Sequence, residues 1–267
     1  MIVTLPEFFN NPSILEIGSF RIQYYALTWI LSAVFIYLYL KKHPIKESMQ
    51  MTDDSLNDLI FMYGLFFGAM LGGRVGYMLF YGLDQLLSNP LSLLFLWEGG
   101  LSFHGGLIGV VVSITIFAKR YGFNFWKLAD MISVSIPIGL FLVRIGNFLN
   151  GELYGRPTDS NWGFIFPTDP FQLPRHPSQL YEGIYEGIII FGLLLMVQRF
   201  WTLAAGSISG LFLISYGLGR FIIEYFRQPD WHIGFVLGDL TMGQLLCIPM
   251  IILGTLILLR KENETVS

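Results

Sequence analysis

Apolar positions gather into seven runs along the chain, at approximately 22–40, 57–81, 101–118, 128–149, 183–199, 205–226 and 238–259. Each run holds roughly 17 to 25 mostly apolar residues, enough for a helix to cross about 30 Å of hydrocarbon. An eighth apolar piece, about 86–97, is shorter and is broken by Asn89 and Pro90, so it reads as a re-entrant or interfacial stretch. The longest connection, about 150–182, contains Pro157, Pro167, Pro170, Pro174 and Pro177 and is neither a helix nor a simple hairpin. Loops of this length are usually functional or disordered. Its aromatic residues, Tyr154, Trp162, Phe164, Phe166 and Phe171, argue for packing against the membrane surface. The pattern predicts an all-α integral membrane protein with seven transmembrane helices, a single polytopic domain over residues 1–267. The first run is too long, and residues 1–20 too poor in Lys and Arg, for a cleaved signal peptide.

Basic residues orient the runs. With the N-terminus outside, nine of them lie inside: Lys41, Lys42, Lys46, Lys119, Arg120, Lys127, Arg199, Arg260 and Lys261. Only Arg21, Arg156, Arg175 and Arg227 lie outside, which favours an outside N-terminus and an inside C-terminus. Composition agrees with a lipid solvent. Of 267 residues, 54% are hydrophobic and 13% charged, against roughly a quarter charged in soluble domains, and the mean hydropathy is +0.59. A net charge of -3 lacks the basic excess that nucleic acid needs. The one cysteine, Cys247, sits in an apolar run and reads as a small buried hydrophobe.

Arg74, Arg144 and Arg220 fall inside runs, where a charge costs at least about 2.5 to 3.5 kcal/mol at mid-bilayer and marks a functional hypothesis. In the predicted topology these three, with His104 and Tyr25, share the outer third of the membrane. Separate snorkelling of each Arg to the head groups is the plain alternative. Tyr216, Arg220, Glu224 and Arg227 follow one another at intervals of four, four and three, on one helical face, so that Arg220 can pair with Glu224. Arg144 and Asn147 are three apart and lead to Asn150 and Glu152. Structural pairing between helices explains such stripes; so does phosphate binding, since a guanidinium suits an oxyanion. Gly68, Gly72 and Gly76 form GxxxGxxxG, and Gly206 and Gly210 form GxxxG, both packing signals. The run His104 to Gly109 sets an imidazole beside glycines, which either close helix packing or room for a ligand explains.

Four segments carry a family resemblance: Trp97 to Gly106 (WEGGLSFHGG), Arg144 to Glu152 (RIGNFLNGE), His176 to Glu182 (HPSQLYE) and Arg220 to Asp230 (RFIIEYFRQPD). Together they resemble the bacterial prolipoprotein diacylglyceryl transferases, in the family's order and over nearly the whole chain. The resemblance implies a seven-helix, multi-pass enzyme of the bacterial plasma (inner) membrane, with no cofactor. It would move a diacylglyceryl group from phosphatidylglycerol to the lipobox cysteine thiol of a preprolipoprotein, forming a thioether and releasing glycerol phosphate. Carried over by position, the catalytic residues are Arg144 and Arg220, for the phosphate, and His104, as base. The supporting polar residues are Tyr25, Asp130, Asn147, Glu152, Tyr216 and Glu224, and the Gly-rich turn falls at Gly155. Val143 departs from the family's usual Gly before the first arginine.

The chemistry fits the residues themselves. A thiol attacking a glyceryl carbon needs help with deprotonation and a cationic site for the departing phosphate. The nucleophile belongs to the substrate, so Cys247 need not react. His43, His104, His176 and His232 are scattered, without ligand spacing for a metal. The alternative is a transporter or channel for an anionic substrate, which would place charges near the midplane and show paired halves. A light-driven pump needs a Schiff-base Lys in the last run, which has none.

Overall fold

The computed structural model of the chain describes residues 2–10, 12–17, 20–96, 99–229 and 234–260. Trp97 and Glu98 of the first motif, Asp230 of the last, His232 and Lys261 lie outside the described residues. The elements run β1 (Val3–Thr4), β2 (Ser13–Ile17), β3 (Phe20–Gln23), α1 (Tyr24–Lys41), α2 (Pro44–Ser48), α3 (Asp53–Phe80), α4 (Leu83–Ser88), α5 (Phe103–Tyr121) and α6 (Phe125–Leu149). They continue with β4 (Phe164–Ile165), β5 (Pro174–Arg175), α7 (Ser178–Phe200), α8 (Ser207–Ile223), β6 (Phe235–Leu237), β7 (Leu240–Thr241) and α9 (Met242–Leu259). Among the described residues, five helices, α1, α3, α6, α7 and α9, are long and apolar enough to cross a membrane. Helices also occupy the other two expected positions, α5 and α8. The piece expected as re-entrant or interfacial holds α4 and a 3-10 turn over Pro90–Leu94.

The starts of α7 and α9 differ from the hydropathy pattern, for opposite reasons. Helix α7 begins at Ser178 rather than near 183, because the polar residues of its first turn are turned inward: Ser178, Gln179 and Glu182 are fully buried. Polarity there serves the protein interior and does not end the helix. Helix α9 begins later than 238. Thr241 caps it, accepting from the Gln244 N–H while the Gln244 side chain accepts from the Thr241 N–H, a capping box that fixes the start. Residues 235–241 form the β6–β7 hairpin instead.

The chain divides into two compact units, Leu40–Met131 and a second made of Met1–Tyr39 with Ile132–Ser267. In the first, the glycines of α3 meet those of α5. A methyl group on Gly76 would lie 2.6 Å from the Gly105 Cα, and one on Gly72 would lie 2.7 Å from the Gly109 Cα. Close helix packing therefore accounts for the glycines after His104, as lost side-chain volume lets backbones touch. Arg74 is buried here, donating to the carbonyls of Ser92 (2.7 Å) and Gly99, so it braces the connection before α5.

In the second unit, Val134, Ile190, Leu194, Ile208 and Phe212 form a buried core between α6, α7 and α8. Helices α8 and α9 approach closely where Gly210 faces the Gly254 carbonyl. The other glycine of that GxxxG, Gly206, instead caps α8 with a positive φ of 99°. On α1, Trp29, Ile30, Leu31, Val34 and Leu38 are exposed, an apolar face that water would not tolerate and lipid would.

Between α6 and α7 the chain folds into a small sheet in which β4 pairs with β1 in parallel and with β5 antiparallel. Phe166 is fully buried there and packs with Tyr154, Phe148 and Phe164. Three of the five aromatics expected against the membrane thus build the loop's own core, leaving Trp162 and Phe171 exposed. The buried Asp169 accepts from Arg175 through both oxygens (2.8 and 2.9 Å) and from the Phe171 and Leu173 N–H groups. Burial alone would raise the Asp169 pKa, but these donors hold its carboxyl below the usual range.

Candidate active site

Two arginines from different helices converge on α7. Arg144 of α6 and Arg220 of α8 each place a guanidinium nitrogen 2.6 Å from the same oxygen, Glu182 Oε2. Glu186 follows one turn later with its Oε2 3.7 Å from Arg144 and its Oε1 3.7 Å from Arg220. Arg220 also pairs with Glu224 at 2.9 Å, the i,i+4 contact that the helical spacing predicts. Arg227 adds contacts of 3.9 Å to Glu182 and 3.7 Å to Glu224. Three guanidiniums thus meet three carboxylates, and Glu182 and Glu186 are fully buried.

The packing that makes this possible is local. A methyl group on Gly187 would lie 2.5 Å from the Phe141 Cβ, and one on Gly183 would lie 3.3 Å from the Arg144 Cβ. These glycines, four apart on α7, let its backbone lie against α6, and the glutamate preceding each is carried to the arginine. Over Gly183–Ile189 the winding widens to π turns, a feature frequent at functional sites. Glu182 and Glu186 were not singled out from the sequence, although the spacing Glu182-Gly183 and Glu186-Gly187 was legible.

Around the ions lies a polar surround. Arg144 donates to Asn147 Oδ1 at 3.4 Å, Asn147 donates to Glu152 Oε1 at 2.8 Å, and Gln179 donates to the Glu152 carbonyl at 2.7 Å. Thr241 donates to Glu224 Oε1 at 3.0 Å, tying the α9 cap to the cluster. Tyr216 lies within the field of Glu186, Arg220 and Arg144. Tyr25 is half-buried, its ring against the backbone of Gly146 on α6. Gly155 is pinned between two strands of chain, donating to the His176 carbonyl at 2.8 Å, with 2.6 Å between that carbonyl and any added methyl. Cys247 is buried and its thiol donates to the Gly243 carbonyl at 3.1 Å.

The remaining candidates belong to the other unit. His104 is exposed in the first turn of α5, two residues after the Ser102 cap. Asp130 is buried in the early turns of α6. Of the eight other site residues expected from the sequence, the structure joins Arg144, Asn147, Glu152, Arg220 and Glu224 in one network, with Tyr216 in its field.

Beside that network the described residues form an open cavity of about 680 Å³. Arg227 and Gln228 line it together with Tyr154, Arg175, Leu153 and Phe171. His176, next to Arg175, shares a hydrogen bond of 3.2 Å with the Tyr181 hydroxyl, and burial lowers its pKa below the usual histidine value.

Residues 12–260 match the family described as prolipoprotein diacylglyceryl transferase. A relative from Wolbachia pipientis wMel is 44% identical over 256 residues, covering 95% of each chain. One from Bradyrhizobium diazoefficiens is 44% identical over 270 residues, covering 97% of this chain and 93% of its own. A third, from Bordetella avium, is 45% identical over 260 residues, covering 95% and 94%. All three are named phosphatidylglycerol–prolipoprotein diacylglyceryl transferase.

Proposed function

We propose that this chain, which belongs to the prolipoprotein diacylglyceryl transferase family, uses Arg144 and Arg220 to receive the phosphate of its lipid substrate. The reaction transfers a diacylglyceryl group from phosphatidylglycerol to the cysteine thiol of a prolipoprotein. The observation that carries the site assignment is the shared Glu182 oxygen, held at 2.6 Å by both guanidiniums. Two guanidinium nitrogens meeting at one oxygen are donors of the kind a phosphate oxyanion needs. Family membership does not favour the transporter alternative.

In the proposed mechanism the substrate sulfur attacks the glyceryl carbon that bears the phosphate ester. The carbon–oxygen bond breaks, a thioether forms, and glycerol phosphate leaves with the bonding pair. Arg144 and Arg220 offset the charge gathering on the phosphate, an electrostatic contribution that is strong where water is excluded. His104 takes the thiol proton. Asn147, Glu152 and Glu224 hold the arginines in place, supported by their contacts, and Tyr216 stands within the field of both. Tyr25 and Gly155 shape the substrate site, and Asp130 is a further supporting polar residue that the family resemblance assigns.

The reading extends to the membrane. All seven helices cross the bacterial plasma membrane, with the N-terminus outside and the C-terminus inside, supported by the nine basic residues of the inner segments. The deciding experiment incubates the purified protein with phosphatidylglycerol and a lipobox peptide, followed by mass spectrometry. A peptide heavier by one diacylglyceryl group is expected; an unmodified peptide overturns the function.

A further inference from the structure

Among the described residues, the cluster pairs three arginines with three glutamates before any substrate arrives. A phosphodiester anion brought to Arg144 and Arg220 would leave one excess negative charge beside buried carboxylates, where an uncompensated charge is strongly unfavourable. The charge has to be offset within the cluster, and the three carboxylates differ in how firmly they are held.

Glu182 has an oxygen 2.6 Å from two guanidiniums. Glu224 is fixed by Arg220 at 2.9 Å and by the Thr241 hydroxyl at 3.0 Å. Glu186 has only the two contacts of 3.7 Å, and among the described residues neither of its oxygens accepts a hydrogen bond although both are buried. The charged groups acting on it are Arg144 on α6, Arg220 on α8, Arg227 beyond α8, and Glu182 on its own helix. Tyr216 on α8 and Cys247 on α9 are the neutral titratable groups within its field. Loss of charge at Glu186 therefore breaks no close contact and relieves repulsion with Glu182.

We propose that Glu186 is a positioning residue whose carboxylate takes up a proton from solvent as an anionic phosphodiester binds opposite Arg144 and Arg220. The inference rests on the phosphate role of those arginines. It makes lipid affinity depend on pH: where Glu186 is ionised in the free protein, affinity falls by up to about tenfold for each unit rise in pH, the linkage for one proton taken up. Glu186→Gln carries the neutral form permanently.

Two measurements test it. Calorimetry of phosphatidylglycerol binding to the wild type in nanodiscs, without peptide so that no turnover occurs, is run in buffers of different ionisation enthalpy. Uptake approaching one proton per lipid at the alkaline end of pH 6 to 9 is expected; no uptake anywhere in that range rejects the proposal even if the variant fails to fold. Transfer kinetics then compare wild type with Glu186→Gln. The wild-type KM for lipid should climb with pH, whereas that of the variant should stay low and flat, since the substitution removes the proton-linked step. Parallel KM profiles, or a variant KM raised at every pH, assign Glu186 a structural role alone. Lipid bound without proton uptake defeats this inference and leaves the function standing; a wild type that binds no phosphatidylglycerol defeats both.

Discussion

Arg144 and Arg220 hold one carboxylate oxygen between them, Glu182 Oε2, each at 2.6 Å. The arrangement explains how two cations persist side by side on apolar helices: a buried carboxylate offsets their repulsion. Arg144→Ala and Arg220→Ala should each reduce transfer at least about 100-fold, in line with the loss of a donor that stabilises developing charge. Lysine at either position should restore only part of the rate, because it keeps the charge and loses the fork. Full activity in either alanine variant, measured by lipobox-peptide modification, would remove that residue from the phosphate site.

Glu182→Ala should act on stability as well as rate. Removing one member of a buried ion pair typically destabilises by about 3 to 5 kcal/mol, and here one deletion strips two guanidiniums of their closest partner. Thermal unfolding of the detergent-solubilised variant should show a lowered Tm; an unchanged Tm would mean that the carboxylate is not the cluster's keystone.

Gly187→Ala tests the packing that brings the cluster together. With 2.5 Å available to the Phe141 Cβ, the methyl group should destabilise by about 1 to 3 kcal/mol and impair transfer by moving Glu186 away from α6. Gly192→Ala, on the same helix with nothing within 4 Å, should be neutral or slightly stabilising. Equal behaviour of the two would show that α7 does not depend on contact at Gly187.

Asp169→Asn addresses the loop between α6 and α7. The folded-state pKa of Asp169 lies below its unfolded value of about 3.9, so its ionised form contributes stability that is complete above that value and lost as pH falls through the folded one. The variant should therefore unfold at a lower Tm than wild type at pH 7, and the gap should close below about pH 4. A gap that stays constant down to pH 3 would contradict the charge-based account.

His104 as the base predicts a particular shape of pH profile. A free thiol with pKa of about 8.5 is a few per cent ionised at neutral pH, so His104→Gln should be impaired near pH 7 and recover as alkaline pH supplies thiolate. Transfer rates from about pH 6 to 9.5 decide it, since parallel profiles for wild type and variant would reassign the imidazole to packing or lipid orientation. Cys247→Ser should remain active throughout, because the nucleophile comes with the substrate. In that background, a cysteine replacing the exposed Asp159 should react with an impermeant reagent from outside and one replacing Pro44 should not; the reverse result would invert the topology.

The sequence by itself determined the helices' existence, their approximate positions, the Arg220–Glu224 pair and the family. Each of these depends on information local to one segment: apolar run length, a spacing of four on one helix, or an ordered motif. It did not reveal that Arg144 and Arg220 share Glu182, that Glu186 stands beside them, or that Arg74 braces backbone carbonyls. Those partners lie on other helices or in irregular backbone, and which side chains meet depends on the rotation and separation of packed helices. The glycines at 183 and 187 set that separation, which is why the start of α7, polar in sequence, became buried interior in the fold. Tertiary packing made a charged motif into a balanced cluster, since low-dielectric burial is tolerable only where every charge finds its opposite.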